Sequence, residues 1–556
     1  MLRTGRRLRH FKRYRQIVEV FLRHGFGYTV ERLDLGYLLP LGHRLRRVSE
    51  TRPTGSPAVR LRSALEELGA TFIKLGQLLS TRADLLPPEF VRELAKLQDE
   101  VAPFPTEEAV ALIEAELGIP LEEAFSHFDG RPLAAGSIAQ VHRARLHNGE
   151  EVVVKLQRPG VAAQIRTDVE ILYGLARIVQ ERLRPEMISA VEFVDEFRRY
   201  ITNELDFARE GRNIERFRAQ FQDDPHVVIP KVFWEFSTER VLTMEYVSGV
   251  KASDTDRLEQ LGIDRRRIAF IGAEAFLKQV MIAGCFHGDP HPGNIFVLPG
   301  DRIAYVDFGS VGRVSTEVKE NLAALVVGIV RRDMDRVVKA MTRLGAVDDR
   351  SDMRRLREDI AEMIDRHYGK RLKEIKAATI LSESFELAGR HRIKLPSDLL
   401  LLGRALVLIE GMGERLDPDF NVLEIAEPFA KQLLAERYDP KNVVRRASEE
   451  LLYWAELARE LPGRVDRLLD QTERGRLRIQ FIHRGLEELI HRLDFISNRI
   501  ALAVVIASLV IGSSLVIQSS TGPFIRGLPA IGVLGYVAAF LLGIWLALSI
   551  LRSGRF

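Results

Sequence analysis

The chain is poor in cysteine and tryptophan, with one Cys and three Trp in 556 residues. A single cysteine, Cys285, excludes an intramolecular disulfide and a cysteine-cluster metal site, and it points to a reducing compartment for the main chain. Cys285 lies in an apolar run and reads as an inert packing residue. Internal repeats, low-complexity tracts and aromatic-interleaved basic stretches are absent, so nothing indicates nucleic acid as a partner. Net charge is also small, +4, yet residues 1–50 hold 12 Lys and Arg against 4 Asp and Glu, so the basicity is local. With 46% hydrophobic and 28% charged residues the chain is a folded protein, too long for one core.

Charge is missing altogether from two C-terminal runs, Ile500–Ile517 and Ala530–Leu551. At about 1.5 Å per residue each is long enough to cross the hydrocarbon of a bilayer. Arg484, His491, Arg492 and Arg499 precede the first and Arg552 and Arg555 follow the second, whereas the connecting loop carries only Arg526. The positive-inside rule then predicts a hairpin with both ends, and the large soluble part, in the cytoplasm. The N-terminus reads as neither signal peptide nor span. Its arginines precede Ile17, Val18, Phe21 and Leu22 on one helical face, fitting either a helix on an anionic membrane surface or one packed on the protein.

Between these ends, Pro53, Gly55, Ser56 and Pro57 mark a linker within 51–60, and a helical region follows, in which Thr106 is a candidate cap. Asn148-Gly149 between SIAQVHRARL and EEVVVKL predicts a β-hairpin. VFWEF (232–236) and RVLTMEY (240–246) predict a second strand pair, and beyond Ser253 only 294–298 and 303–308 read as strands.

The chemistry concentrates in FHGDPHPGNIFV and YVDFGS. Asp289 and Asn294 are five residues apart, Asp307 opens an Asp-Phe-Gly triplet, and Lys155 ends a strand upstream. A strand lysine for nucleotide phosphates, an aspartate for Mg²⁺ and an aspartate–asparagine pair for acceptor and second metal contact form a phosphoryl-transfer set. Each motif alone is weak; their order and spacing are specific. Pro290 and Pro292 keep His287 and His291 off a shared helical face, so both read as loop-structuring residues rather than metal ligands. After Gly309 about half a dozen residues remain before the helix that Ser315-Thr316 opens, so a peptide-docking platform is not expected.

In these motifs the chain resembles the UbiB family of atypical protein-kinase-like proteins. Lys74-Leu75-Gly76-Gln77 looks like its KxGQ signature, Glu204-Leu205-Asp206 like its ExD signature, and Ala134-Ala135-Gly136-Ser137 like its alanine-rich nucleotide loop, with Gly136 where the family usually has alanine. The resemblance implies an α+β, two-lobe kinase-like fold with an N-terminal helical extension and a C-terminal transmembrane hairpin. Its segments would be a basic amphipathic 1–60, a KLGQ extension 61–130, a β-rich N-lobe 131–250, a helical C-lobe 251–440, amphipathic helices 441–499 and two spans in 500–551. It implies ATP or ADP with Mg²⁺ as cofactors. Lys155 would be held by Glu210, metal by Asn294 and Asp307, and the attacking group by Asp289, while Lys74 and Gln77 close the site against Glu204 and Asp206. The expected activity is a membrane-anchored ATPase of isoprenoid-quinone biosynthesis in the bacterial inner membrane. Lipid precursors and quinone-biosynthesis enzymes would be its partners, and a homodimer is compatible. A small-molecule or lipid kinase and a non-catalytic nucleotide-binding scaffold are the alternatives.

Overall fold

The computed structural model describes residues 2–33, 55–82, 85–97, 101–183, 189–331, 333–345, 353–367, 374, 376–391, 393, 395–438, 486–519, 523–525 and 528–552. The segment 441–485, which carries most of the expected membrane-proximal helices, and the linker residues 51–54 lie outside them. The chain forms two units, Met1–Arg445 and Arg446–Phe556.

The first unit is built around the Asn148-Gly149 turn, where Gly149 takes φ 87°. Strands Ala139–Arg145 and Glu151–Gln157 run antiparallel from it, and Val241–Glu245 extends the sheet on the far side. Two short strands, His127–Phe128 and Ala134–Ala135, complete it along Ala139–Arg145. Side chains alternate across a strand. Val152, Val154 and Leu156 therefore pack under helix Thr106–Leu117, while Val153 joins the main core and Lys155 faces the same way. The sheet's core thus extends upstream of residue 131. Thr106 is the first residue of its helix rather than the cap; Pro105 precedes it, and its hydroxyl donates to the Gly130 carbonyl. VFWEF is not a strand either. Only Val232 bridges to Met244, and Trp234–Phe236 form a 3₁₀ turn, because the Ser237 and Thr238 side chains bond the backbone into a turn.

A second sheet sits below. Ile295–Leu298 and Arg302–Tyr305 form a hairpin around Gly300 and Asp301, both at positive φ, flanked by Val250–Lys251 and, in parallel, by Val227–Val228. Cys285–His287 pairs with Val311–Arg313, a strand pair that periodicity did not reveal. Helices Arg265–Leu277, Thr316–Arg331, Ser397–Leu416 and Val422–Tyr438 surround these strands.

A third layer is helical. Helix Leu2–Arg23 buries Ile17, Val18 and Val20 against helices Pro57–Leu68 and Val161–Leu183, so its apolar face is taken up by protein rather than left for a membrane. The KLGQ helix, Ala70–Ser80, lies in the same cluster with Ala190–Glu204. In the second unit, Leu486–Ser519 and Ala530–Arg552 form an antiparallel hairpin containing two stretches long and apolar enough to cross a membrane, Ile496–Gln518 and Ala530–Ala547. Gly535 permits their close approach: a Cβ there would lie 2.0 Å from Ser513 Oγ.

Candidate functional site

Register places the site. Ile295 pairs with Tyr305, so Asn294 lies opposite Val306, whose N–H donates to the Asn294 carbonyl at 3.1 Å. Asp289 and Asp307 thereby come to the same end of the hairpin. Above them, Asp206 accepts from Arg209 N at 2.9 Å and caps helix Phe207–Gln220. Phe207, Glu210, Ile214 and Phe217 share that helix's buried face. Glu210 therefore meets Lys155, whose Nζ lies 2.8 Å from both carboxylate oxygens, and 3.6 Å from Asp307 Oδ1.

Burial works against the Lys155 ammonium, but Asp307 and Glu210 outweigh it and raise its pKa. The Lys155 charge holds the Asp307 carboxyl well below the usual range, against burial. Glu210, almost wholly enclosed, is pushed up to about 7 by desolvation, against the pull of Lys155. Asp307 is surrounded by protein yet keeps 48% of its side-chain surface open, so an incoming group can still reach it.

The triplet's Phe308 is fully buried against Phe217 and His287, and its carbonyl accepts from Asn213 Nδ2 at 3.1 Å. His287 Nδ1 accepts from Asp289 N at 3.1 Å, and His291 Nδ1 accepts from Gly293 N. Both histidines thus hold the loop's backbone. Burial keeps the His287 pKa low.

Lys74 reaches this cleft. Its Nζ lies 3.5 Å from Glu204 Oε2, and a Cβ on Gly309 would lie 3.8 Å from that same oxygen and 3.4 Å from Asp307 Oδ1. Gly76 is where the KLGQ helix packs tightly, since a Cβ would lie 2.3 Å from Leu97. Gln77 and Asp206 are used differently from the expectation. Gln77 Nε2 donates to the Leu97 carbonyl within the extension, and Asp206 is spent on its cap and on Arg212. In the nucleotide loop, Ala134-Ala135 are strand, and Gly136 N donates to Ala139 O. The Ala135 and Gly136 carbonyls accept from Val101 N and Arg158 Nε, so the extension clasps the loop's edge; Ser137 is buried.

Sequence reasoning missed Arg404, on helix Ser397–Leu416, whose Nη2 donates to Asp289 Oδ1 at 3.2 Å. It also missed Tyr200, whose burial and the facing Glu204 raise its pKa, and Asn213. None of the three lies in a motif.

Mg²⁺ fits these donors. Asp307 is held ionised, and the Asn294 amide nitrogen donates to the Asp289 carbonyl at 3.4 Å, so its amide oxygen is the atom that would meet a cation. Among the described residues no three of His, Cys, Asp or Glu converge on one point. A cation here would need phosphate oxygens and water for the rest of its shell, the usual arrangement for Mg²⁺ with a nucleotide.

A strand lysine on a helical glutamate, above a loop carrying aspartate, asparagine and an Asp-Phe-Gly triplet, defines an atypical protein-kinase-like fold. The sequence matches an ABC1 atypical kinase-like domain over residues 96–341, a UbiB helical domain over 360–421 and an ABC1/UbiB kinase-like C-terminal domain over 484–552. It is 33% identical to an uncharacterized protein of Clostridium pasteurianum from the hydrogenase 1 5' region, over 98% of this chain and 99% of that one. A probable protein kinase UbiB of Marinobacter nauticus is 35% identical, covering 86% and 88%. The chloroplastic protein Activity of bc1 complex kinase 8 of Arabidopsis thaliana is 34% identical, covering 81% and 64%. The chain belongs to the ABC1/UbiB family of atypical kinase-like proteins.

Proposed function

We propose that the protein is a membrane-anchored, Mg²⁺-dependent ATPase whose turnover serves the handling of an isoprenoid lipid in quinone biosynthesis. The observation that carries the ATP-dependent part is the Lys155–Glu210 pair beside an ionised Asp307 that remains open to the cleft. Lys155 would hold nucleotide phosphates, Asp307 and Asn294 the metal, and Asp289 would orient a water for attack. Bound Mg²⁺ would supply charge neutralisation on the phosphates.

Transfer to a protein hydroxyl is disfavoured by the segment after the triplet. Gly288 N donates to Ser310 O at 2.8 Å, and Val311–Arg313 is already paired as a strand. The two apolar C-terminal stretches support anchoring, with the kinase-like unit on the cytoplasmic face of a bacterial inner membrane. Family membership and the naming of the Marinobacter relative as a probable protein kinase UbiB support the quinone role.

The test is full-length protein in vesicles of anionic lipid, supplied with Mg²⁺-ATP and an isoprenoid phenol. We expect free phosphate and ADP in equal amounts, no turnover with EDTA, and loss of metal-dependent nucleotide binding in Asp307→Asn. A phosphorylated lipid would show the protein to be a lipid kinase instead. Nucleotide binding without turnover would show a scaffold.

A further inference from the structure

Arg404 has no place in the motifs, yet the fold aims it at the reacting end of the cleft. Helix Ser397–Leu416 presents one face to the catalytic loop. Asp398 accepts from Arg313 N at its start, Leu401 presses on Gly288, and Arg404, one turn later, reaches Asp289. Leu401 comes so close that a Cβ on Gly288 would lie 2.8 Å from it. The helix is firmly held: Glu410, 3% exposed, accepts from Ala377 N and Ala378 N, and Gly403 lies against the Phe385 ring. Arg404 is thus placed by a rigid element, as a catalytic contact requires.

Its bonding is incomplete. A guanidinium carries five N–H donors. Among the described residues the hydrogen-bond acceptor of Arg404 is Asp289 Oδ1, at 3.2 Å, and about a third of each side chain stays open. The other cations of the cleft, Lys155 and Lys74, are paired with Glu210 and Glu204, on the sheet side and the helical-extension side. Arg404 is the cation on the side of Asp289, where a group attacking a terminal phosphoryl must sit.

We propose that Arg404 is a further catalytic residue, an in-cis arginine that donates to the oxygens of the transferring phosphoryl group. The inference rests on the ATP-hydrolysing reading above. In the step it assists, the bond between the γ-phosphorus and the β,γ-bridging oxygen breaks and its electrons leave with ADP. A bond forms from the water oxygen to the γ-phosphorus, and the water's proton passes to Asp289 and on to solvent. Charge spreading onto the phosphoryl oxygens meets the guanidinium.

The test compares full-length Arg404→Gln, which keeps a donor for Asp289 but no charge, with Arg404→Lys, which keeps the charge. Measured are kcat, MgADP affinity, affinity for MgADP with aluminium fluoride, and melting temperature. For Arg404→Gln we expect kcat to fall about 10²–10³-fold, with MgADP affinity within about threefold of wild type. Affinity for the aluminium fluoride complex should fall in proportion to kcat. Arg404→Lys should keep at least about tenfold more activity than the glutamine variant. Unchanged or raised turnover in Arg404→Gln overturns the assignment, as does a parallel loss of MgADP affinity, and so does a lysine variant no better than the glutamine one. Should the glutamine variant not fold, the lysine variant decides: lower aluminium fluoride affinity at unchanged MgADP affinity supports the proposal, and equal affinities for both overturn it. Wild-type protein that neither binds MgADP nor hydrolyses ATP refutes the proposed function itself, and the assignment falls with it.

Discussion

Asp168 is the most consequential buried carboxylate outside the cleft. It is 0% exposed and takes Arg13 in a two-pronged pair, Nε to Oδ1 at 2.7 Å and Nη2 to Oδ2 at 3.0 Å, and the Thr71 hydroxyl at 2.6 Å. Arg13 Nη2 also donates to the Leu68 carbonyl. One carboxylate thus ties the N-terminal helix to the first turn of the helix that carries Lys74. Arg13→Met leaves Asp168 buried without its cation, which costs about 3–5 kcal/mol for a broken buried pair. Three buried aliphatics, Ile17, Val18 and Val20, hold the same helix with roughly 5 kcal/mol or more. The single variant should therefore fold, with the N-terminal helix loosened rather than lost.

Replacing both partners, Arg13→Met with Asp168→Leu, removes the stranded charge. It leaves the Thr71 hydroxyl and the Leu68 carbonyl without these partners, a penalty of about 1–3 kcal/mol for a buried group. Urea unfolding of the four members of this cycle should give a coupling energy of about 2–4 kcal/mol. Hydrogen exchange should report faster opening of residues 57–80 in the single variants. A coupling below about 0.5 kcal/mol, or unchanged exchange in 57–80, would refute the linkage.

Glu210 is raised to about 7 from 4.5, so the folded state holds a proton between those values that the unfolded chain has lost. Stability contributed by this group is present below pH 4.5 and is lost as pH rises through 7, by up to roughly 3 kcal/mol, and Glu210→Gln should flatten that slope in unfolding measured from pH 5 to 8. Gly288→Ala sets a methyl 2.6 Å from Ser310 Oγ and 2.8 Å from Leu401. It should cost about 1–3 kcal/mol in thermal or urea unfolding and shift Asp289 with it. Asp206→Ala should lose about 1 kcal/mol as a removed helix cap. Lys74→Ala, which strips a cation from the largely buried Glu204, should change turnover in the vesicle assay as well as lower the melting temperature; a fully active Lys74→Ala protein would remove that lysine from the mechanism.

Local chemistry made much of this legible and tertiary packing hid the rest. Asn148-Gly149 has one good conformation, so the hairpin that carries Lys155 could be read from two residues. The strand alternation that turns Lys155 into the cleft, and the seven-residue spacing that puts Glu210 between Phe207 and Ile214, are also periodic signals. Arg404 has no such signal: its helix is an ordinary amphipathic run, and only the contact of Leu401 with Gly288 makes it part of the site. Asp206 carries an ambiguity of a related kind. An aspartate two residues after a glutamate can belong to a shared site or cap the next helix, and the structure shows the capping contact, Arg209 N to Oδ1. The N-terminal helix shows the same ambiguity, since a face of Ile17, Val18, Phe21 and Leu22 fits lipid or protein equally until the partner is seen.

What the cleft has already bonded bears on the acceptor in the proposed reaction. A peptide acceptor needs free backbone edges beside Asp289, the residue proposed to orient the attacking group. Here the strand after the triplet is paired with Cys285–His287, Arg313 N is taken by Asp398, and Gly288 N is taken by Ser310. Opening that edge would surrender these bonds at about 1 kcal/mol each and strand the N–H of buried Gly288 besides. On the other side the Lys74–Glu204 pair stands next to Gly309. Asp289 and Arg404 each keep about a third of the side chain open, so the proposed hydrolysis, with water as acceptor, asks for none of these bonds to be broken.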